Sequence, residues 1–371
     1  MNRPFQREEE EDEVSPPSVV RKPEGVENAL RSHAGLRLGV SLDLGEELGR
    51  GGMGTVHTAL DRWLGRRVAV KLLAPSSERE IVDRRFILEA QLAAQLEHPN
   101  IVPFYELLVA EDGAPALVMR LVRGQTMAAY LATCSSSAEM SHTAPYDLPS
   151  RLERFLKVCD AVANAHARCL VHRELKPDNV MLRTHNEVYV MDWGVARVMA
   201  DEKEERVSSG SFSMPGSTRT GEIIGTPGYM SPEQAAAESI TYAADQYALG
   251  MMLAELATLS SPRPGAELEQ LSAAMLASDV RLVHRFDEEI PVPLAAIVRK
   301  ATSRRAEHRY PSVEAFAADV RRFMRDEAIS ILREPKWHRA WRWTKRRPVL
   351  VLGTFTMLVS LIAVLAVLVL V

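Results

Sequence analysis

The period of the hydrophobic positions changes along the chain, and the changes mark out its segments. From about Leu42 the residues read as strand, turn, strand: Thr55–Ala59 alternates with β-branched residues, and past Gly65 a second strand-like run covers Arg67–Leu73. Residues 80–96 switch to helical apolar spacing, with Leu88 and Leu92 flanking Glu89. His98-Pro99 closes that helix, and Ile101-Val102 leads into a further strand. The last 23 residues, Val349–Val371, carry no charge and only four residues outside the hydrophobic set, Gly353, Thr354, Thr356 and Ser360. As a helix they would measure about 34 Å, against a hydrocarbon core of about 30 Å, so this stretch predicts a transmembrane helix.

The 371 residues leave room for about two ordinary domains, or for one large two-lobed domain with extensions. Their net charge of -4 excludes a strongly basic nucleic-acid binder on bulk electrostatics, and no nucleic-acid partner is expected. The charges are unevenly placed. Residues 335–348 carry six basic and no acidic side chains, interleaved with Trp337, Trp341 and Trp343. Amphipathic rings favour a membrane interface and cations its cytoplasmic face, so residues 326–348 read as a basic juxtamembrane linker in contact with lipid. That orientation puts residues 1–348 in the cytoplasm. Either the chain is tail-anchored or the sequence is truncated.

At the other end, residues 1–41 contain an acidic run from Glu8 to Glu13 and then Pro16, Pro17 and Pro23, too little apolar surface to offset the entropy of ordering. They predict a disordered acidic tail without the apolar stretch of a secretory signal. The three cysteines, Cys134, Cys159 and Cys169, lack metal-ligand spacing and are odd in number, which indicates neither a disulfide framework nor a zinc site and suits a reducing compartment.

Candidate chemistry begins inside the first hairpin. Leu48 precedes Gly49-Arg50-Gly51-Gly52-Met53-Gly54-Thr55-Val56, the spacing GxGxxGxV. Glycines let the backbone approach a polyphosphate, and their amides supply donors to its oxygens. A dinucleotide-binding turn would need a helix directly after the glycines, and a Walker loop would need Gly-Lys-Ser/Thr; neither follows. The hairpin ends instead in Val68-Ala69-Val70-Lys71, and here the chain begins to resemble a protein kinase. The resemblance continues in Val171-His172-Arg173-Glu174-Leu175-Lys176-Pro177-Asp178-Asn179, in Asp192-Trp193-Gly194, in Gly225-Thr226-Pro227-Gly228-Tyr229-Met230-Ser231-Pro232-Glu233, and in Asp245. It covers residues 42–325 and is closest in wording to the bacterial, eukaryotic-like (Hanks-type) serine/threonine kinases.

That resemblance implies an α+β, two-lobed protein-kinase-like fold, with a small β-rich N-lobe and a large helical C-lobe, and ATP with Mg²⁺ bound between them. It implies that Leu48 to Val56, Ala69, Met119, Leu121 and Val122 contact the nucleotide, the last two through their backbone. It also implies that Lys71 contacts the phosphates and pairs with Glu89, with Glu80, near the expected helix start, as the alternative. Asn179 and Asp192 would hold magnesium, Lys176 would neutralise the transferred phosphoryl group, and Arg173 would bind a phosphorylated activation loop. Glu233 would pair with Arg309 and Asp245 would hold the catalytic loop, both structural roles. Lys176 with Thr226 favours serine or threonine of protein substrates, and Ser217, Thr218 and Thr220 are candidate autophosphorylation sites. A homodimer is left open. Two long polar stretches are less typical: Thr133–Ser150, read as a surface loop, and Asp201–Glu222 in the activation segment.

Three positions depart from the family. Glu174 stands where the catalytic aspartate is usual; an extra methylene displaces its carboxylate by about 1 Å, enough to cost about 10²-fold in rate. Trp193 replaces a phenylalanine. Arg120 occupies the place of a hinge glutamate, where the side chain should matter less than the backbone. Two functions stay open on the sequence: an active serine/threonine kinase in membrane-associated signalling, or a nucleotide-binding pseudokinase serving as a membrane-tethered scaffold.

Overall fold

The computed structural model describes residues 42–51, 54–73, 86–87, 90–91, 93–110, 113–193, 197–198, 228–261, 263, 282–285, 289–332 and 357. Five strands come first: β1 (Leu42–Gly51), β2 (Gly54–Asp61), β3 (Arg66–Leu73), β4 (Phe104–Val109) and β5 (Pro115–Arg120). All their pairings are antiparallel, in the order β1-β2-β3-β5-β4. The pleat of β3 divides its residues between two faces. Val68 and Val70 are fully buried in a small core with Leu42, Ala59, Leu108, Ala116 and Val118. On the opposite face Ala69 pairs across to Met119, and Lys71 to Val56 and Leu117. Directly opposed residues share a face, so these five form one lining.

Leu117 of that lining packs with Phe86 and Ala90 in a second cluster. Residues 86–87, 90–91 and 93 are helical, and Ala94 and Gln95 already lie in a turn, so the helix expected over 80–96 ends slightly early in its described part. Beyond β5 the chain turns mostly helical. A short strand β6 (Gln125–Thr126) leads into α1 (Met127–Cys134), then α2 (Ala138–His142) and α3 (Leu148–Ala167). Strands β7 (Leu170–Val171), β8 (Val180–Leu182), β9 (Val188–Val190) and β10 (Arg197–Val198) follow. Helices α4 (Pro232–Ala235), α5 (Tyr242–Thr258), α6 (Val292–Ala301) and α7 (Val313–Met324) complete the described elements.

One large core joins α1, α3, α5, α6 and α7, with Phe155, Leu249, Met252, Ile297 and Phe316 fully buried. Phe155 and Phe316 meet edge to face at 5.7 Å between α3 and α7. Gly124 is required by a close approach: a Cβ there would stand 2.0 Å from the carbonyl oxygen of Leu182, so the segment after β5 lies directly on β8. Strand β6 then pairs with β8, and β8 with β9.

The stretch Thr133–Ser150 is not the surface loop that its composition predicts. It contains α2 and the first turn of α3, because its polar residues cap helices: Ser137 accepts from the Met140 N–H and Asp147 from the Ser150 N–H, both at 3.1 Å. Among the described residues no helix is long and apolar enough to cross a membrane. The predicted span Val349–Val371 lies outside them except for Met357, as do the acidic tail, the basic collar from Lys336 and the candidate phosphosites.

The start of α4 is fastened to the base of the helical lobe. Arg309, whose side chain is fully buried, donates Nη1 to Glu233 Oε1 at 2.6 Å and Nη2 to Oε2 at 2.8 Å. Its Nη1 also reaches the Ala243 carbonyl at 2.7 Å, and its Nε the Ser303 carbonyl at 2.8 Å. Removing one partner of a buried pair strands the other charge, which costs more than the intact pair contributes. Glu233→Ala should therefore lower unfolding stability by about 3 kcal/mol in urea titration, whereas a loss below about 1 kcal/mol would contradict the fastening role.

Candidate active site

The catalytic-loop candidate follows β7, and its shape is held from beneath by one carboxylate. Asp245, in the first turn of α5, is buried; its Oδ2 accepts from the His172 N–H and from His166 Nε2, and its Oδ1 from the Arg173 N–H, all at 2.8 Å. Arg173 has φ = 71°, a left-handed conformation that is strained for a residue with a Cβ. The clamp is closed from the other side, where Gln234 Nε2 donates to the Arg173 carbonyl at 2.8 Å. Gln234 belongs to a capping box with Ser231, so the end of the activation segment is built into the same brace.

Downstream, the loop brings the predicted catalytic residues together. Lys176 Nζ donates to Glu174 Oε1 at 2.8 Å, and both side chains are about four-fifths buried. Asn179 Nδ2 donates to the Glu174 carbonyl at 2.8 Å, and the Met191 N–H donates to the Asn179 carbonyl at 2.9 Å. The second bond joins the catalytic loop to the segment carrying Asp192. Asp192 is also left-handed, at φ = 57°. The His172 ring links the two segments: Nδ1 accepts from the Glu174 N–H at 3.3 Å, Nε2 donates to the Met191 carbonyl at 3.1 Å, and the ring meets that of Trp193 at 4.5 Å.

Lys71 crosses from β3 to this loop. Its Nζ donates to Asp192 Oδ1 at 2.6 Å, the contact that joins the two lobes at the site. Burial opposes ionisation of Asp192, but the Lys71 ammonium, with smaller contributions from His172 and Lys176, holds its carboxyl below the usual range. An ionised Asp192 and the amide oxygen of Asn179 are hard oxygen donors of the kind that suits magnesium. Gly49 has no atom within 4 Å of the place a Cβ would take, so open space borders the glycine-rich turn.

Several expected members stand elsewhere or beyond reach. Leu48 is half exposed on β1, and Arg50 is exposed, paired with Glu47 at 2.8 Å. Thr55, Val56, Ala69 and Met119 lie on the β2, β3 and β5 strands, and Leu121 and Val122 follow β5 directly. Gly52, Met53, Glu89, Gly194 and Thr226 lie outside the described residues. Trp193 is buried, so the larger ring does fit the pocket beside His172, yet its Nε1–H has no hydrogen-bond partner among the described residues. His166 and Gln234 were not foreseen; the Ser-x-x-Gln spacing of the capping box was the legible signal for Gln234.

With this geometry in view, the comparisons identify the family. The protein kinase domain family matches residues 42–320, and the chain belongs to that family. It is 36% identical over 291 residues to a probable serine/threonine-protein kinase of Streptomyces coelicolor, covering 76% of this chain and 40% of that protein. It is 36% identical to the serine/threonine-protein kinase PknB of Mycobacterium leprae over 75% of this chain and 42% of that protein. PknD of Chlamydia abortus is 33% identical over 75% of this chain and 30% of its own length. The chain thus spans about two fifths or less of these curated relatives.

The brace under the loop has a pH signature. Burial raises the carboxyl of Asp245, but the hydrogen bond and charge of His166, with the charge and backbone N–H of His172, outweigh it, so its pKa lies below the ordinary 3.8. A depressed carboxylate stabilises the fold fully above its unfolded value, and this contribution is lost as pH falls through the folded one. Asp245→Asn should be about 2 kcal/mol less stable at pH 7 and flatter than the native chain on acidification below about pH 4. Parallel acid-denaturation curves would contradict this.

Proposed function

We propose that the chain is a serine/threonine protein kinase that transfers the γ-phosphoryl group of ATP to itself and to other proteins, tethered at the cytoplasmic face of a bacterial inner membrane. One observation carries the reading: Lys71 of the β lobe meets Asp192 of the helical lobe at 2.6 Å, beside Glu174, Lys176 and Asn179. Nothing in the packing requires an ammonium on the inner lining of the sheet, whereas a triphosphate does.

Phosphoryl transfer has a loose transition state, so the protein's task is positioning and charge neutralisation. Asp192 and Asn179 would hold magnesium, which when bound neutralises charge on the phosphates. Lys71, now on Asp192, would share its protons with the α and β phosphates. Lys176 would face the transferred group. Glu174 would accept the hydrogen bond of the serine or threonine hydroxyl and then its proton, as the hydroxyl oxygen bonds to phosphorus and ADP leaves. The pair with Lys176 keeps the Glu174 carboxylate directed at this corner despite its extra methylene. The serine/threonine preference is supported by Lys176 and by the names of the relatives. The membrane tether is supported by the length and lack of charge of Val349–Val371 and by the basic, Trp-rich residues before it.

Two experiments check these statements separately. With radiolabelled ATP and a basic protein as acceptor, the native chain should transfer label, Lys71→Met should abolish transfer, and Glu174→Asp should raise turnover by at most about 10²-fold. Transfer by neither the native chain nor Glu174→Asp, with ATP still raising the melting temperature, would instead establish the scaffold reading. Deleting residues 349–371 should move the protein from the membrane to the soluble fraction on ultracentrifugation; unchanged membrane association would show that the anchor lies elsewhere.

A further inference from the structure

The segment joining the lobes is tied at both ends to the β8–β9 hairpin. At its start, the Arg120 guanidinium lies over the Tyr189 ring, 5.1 Å from the centroid. Tyr189 is buried on β9, and its hydroxyl donates to Glu187 Oε2 at 3.2 Å. The same oxygen accepts from Arg183 Nη1 at 2.5 Å. Arg183 Nε in turn donates to the carbonyl of Arg123 at 3.2 Å, at the end of the segment. The contacts therefore leave the connecting segment at Arg120 and return to it at Arg123, enclosing Leu121 and Val122.

This circuit is electrostatically consistent. Burial works against ionisation of Glu187, but the Tyr189 hydroxyl, Arg183 and the charge of Arg120 hold its carboxyl below the ordinary range. A glutamate at position 120 would set two carboxylates against the same corner and could not stack on the ring. Beyond Tyr189, β9 ends at Val190 and the chain continues through Met191 to Asp192. Val190 is itself pinned, its N–H to the Asn100 carbonyl at 2.8 Å and its carbonyl to the Val102 N–H at 3.2 Å. Strand β9 and the two residues after it thus lead from the connecting segment to the charged corner of the site.

We propose that Arg120 is a positioning residue for the nucleotide: stacked on Tyr189, it holds the Leu121–Val122 backbone in register with Asp192, so that one ligand can satisfy the adenine end and the phosphate end together. This rests on the reading that ATP binds between the lobes. A cation over an aromatic face gains from the charge itself and not only from the packing of the stem, which separates this role from a filler.

The test measures the dissociation constant of MgATP for the full-length chain in lipid nanodiscs, by displacement of a fluorescent ATP analogue. Arg120→Met keeps the stem and removes the charge, and should weaken binding about fivefold; Arg120→Lys keeps a cation and should stay within about twofold of the native chain. Tyr189→Leu should weaken binding by about the same factor as Arg120→Met, and the double variant should be no weaker than either single one. Native affinity in Arg120→Met, equal losses in the Met and Lys variants, or additive losses in the double variant would each overturn the inference while MgATP binding by the native chain still stands. No displacement by MgATP from the native chain would overturn the nucleotide reading itself.

Discussion

The arrangement depends on a single buried carboxylate. Asp245 brings no chemistry of its own, but by accepting two consecutive backbone N–H groups it stabilises a left-handed Arg173, after which Glu174 bonds to both Lys176 and Asn179. Without an acceptor there, two amides would be buried and unpaired beside a strained residue, a combination that costs several kcal/mol. Gln234 supplies the opposite hold on the Arg173 carbonyl, and the Glu233–Arg309 pair secures the helix that Gln234 sits on. The base of the helical lobe is therefore mechanically continuous with the catalytic loop.

The second organising feature is the pleat of β3. Alternation buries Val68 and Val70 in the core and so directs Ala69 and Lys71 to the other face, where Val56, Leu117 and Met119 join them from the neighbouring strands. A lysine on that face has one near carboxylate among the described residues, Asp192, across the lobe boundary. The same contact that closes the lobes thus gathers the charges a triphosphate would meet.

Much of this was legible in the sequence because it depends on local period and on motif spacing. The alternation in β2 and β3 identified the strands, and Glu233, Arg309 and Asp245 stand in the structural roles that the resemblance implied. What composition hid was capping inside Thr133–Ser150, where serines and an aspartate start helices rather than fill a loop. Contacts between residues far apart in sequence were also invisible: Gln234 with Arg173, and Arg120 with Tyr189.

Glu174 remains the residue on which the proposed function turns, and its carboxylate is held by Lys176 at 2.8 Å. The most direct measurement is the intact mass of the full-length chain after incubation with MgATP, followed by fragmentation to locate any added phosphate. The account predicts phosphate-sized increments on serine or threonine residues in the native chain and none in Asp192→Asn. An unmodified native chain that nevertheless binds MgATP would contradict it.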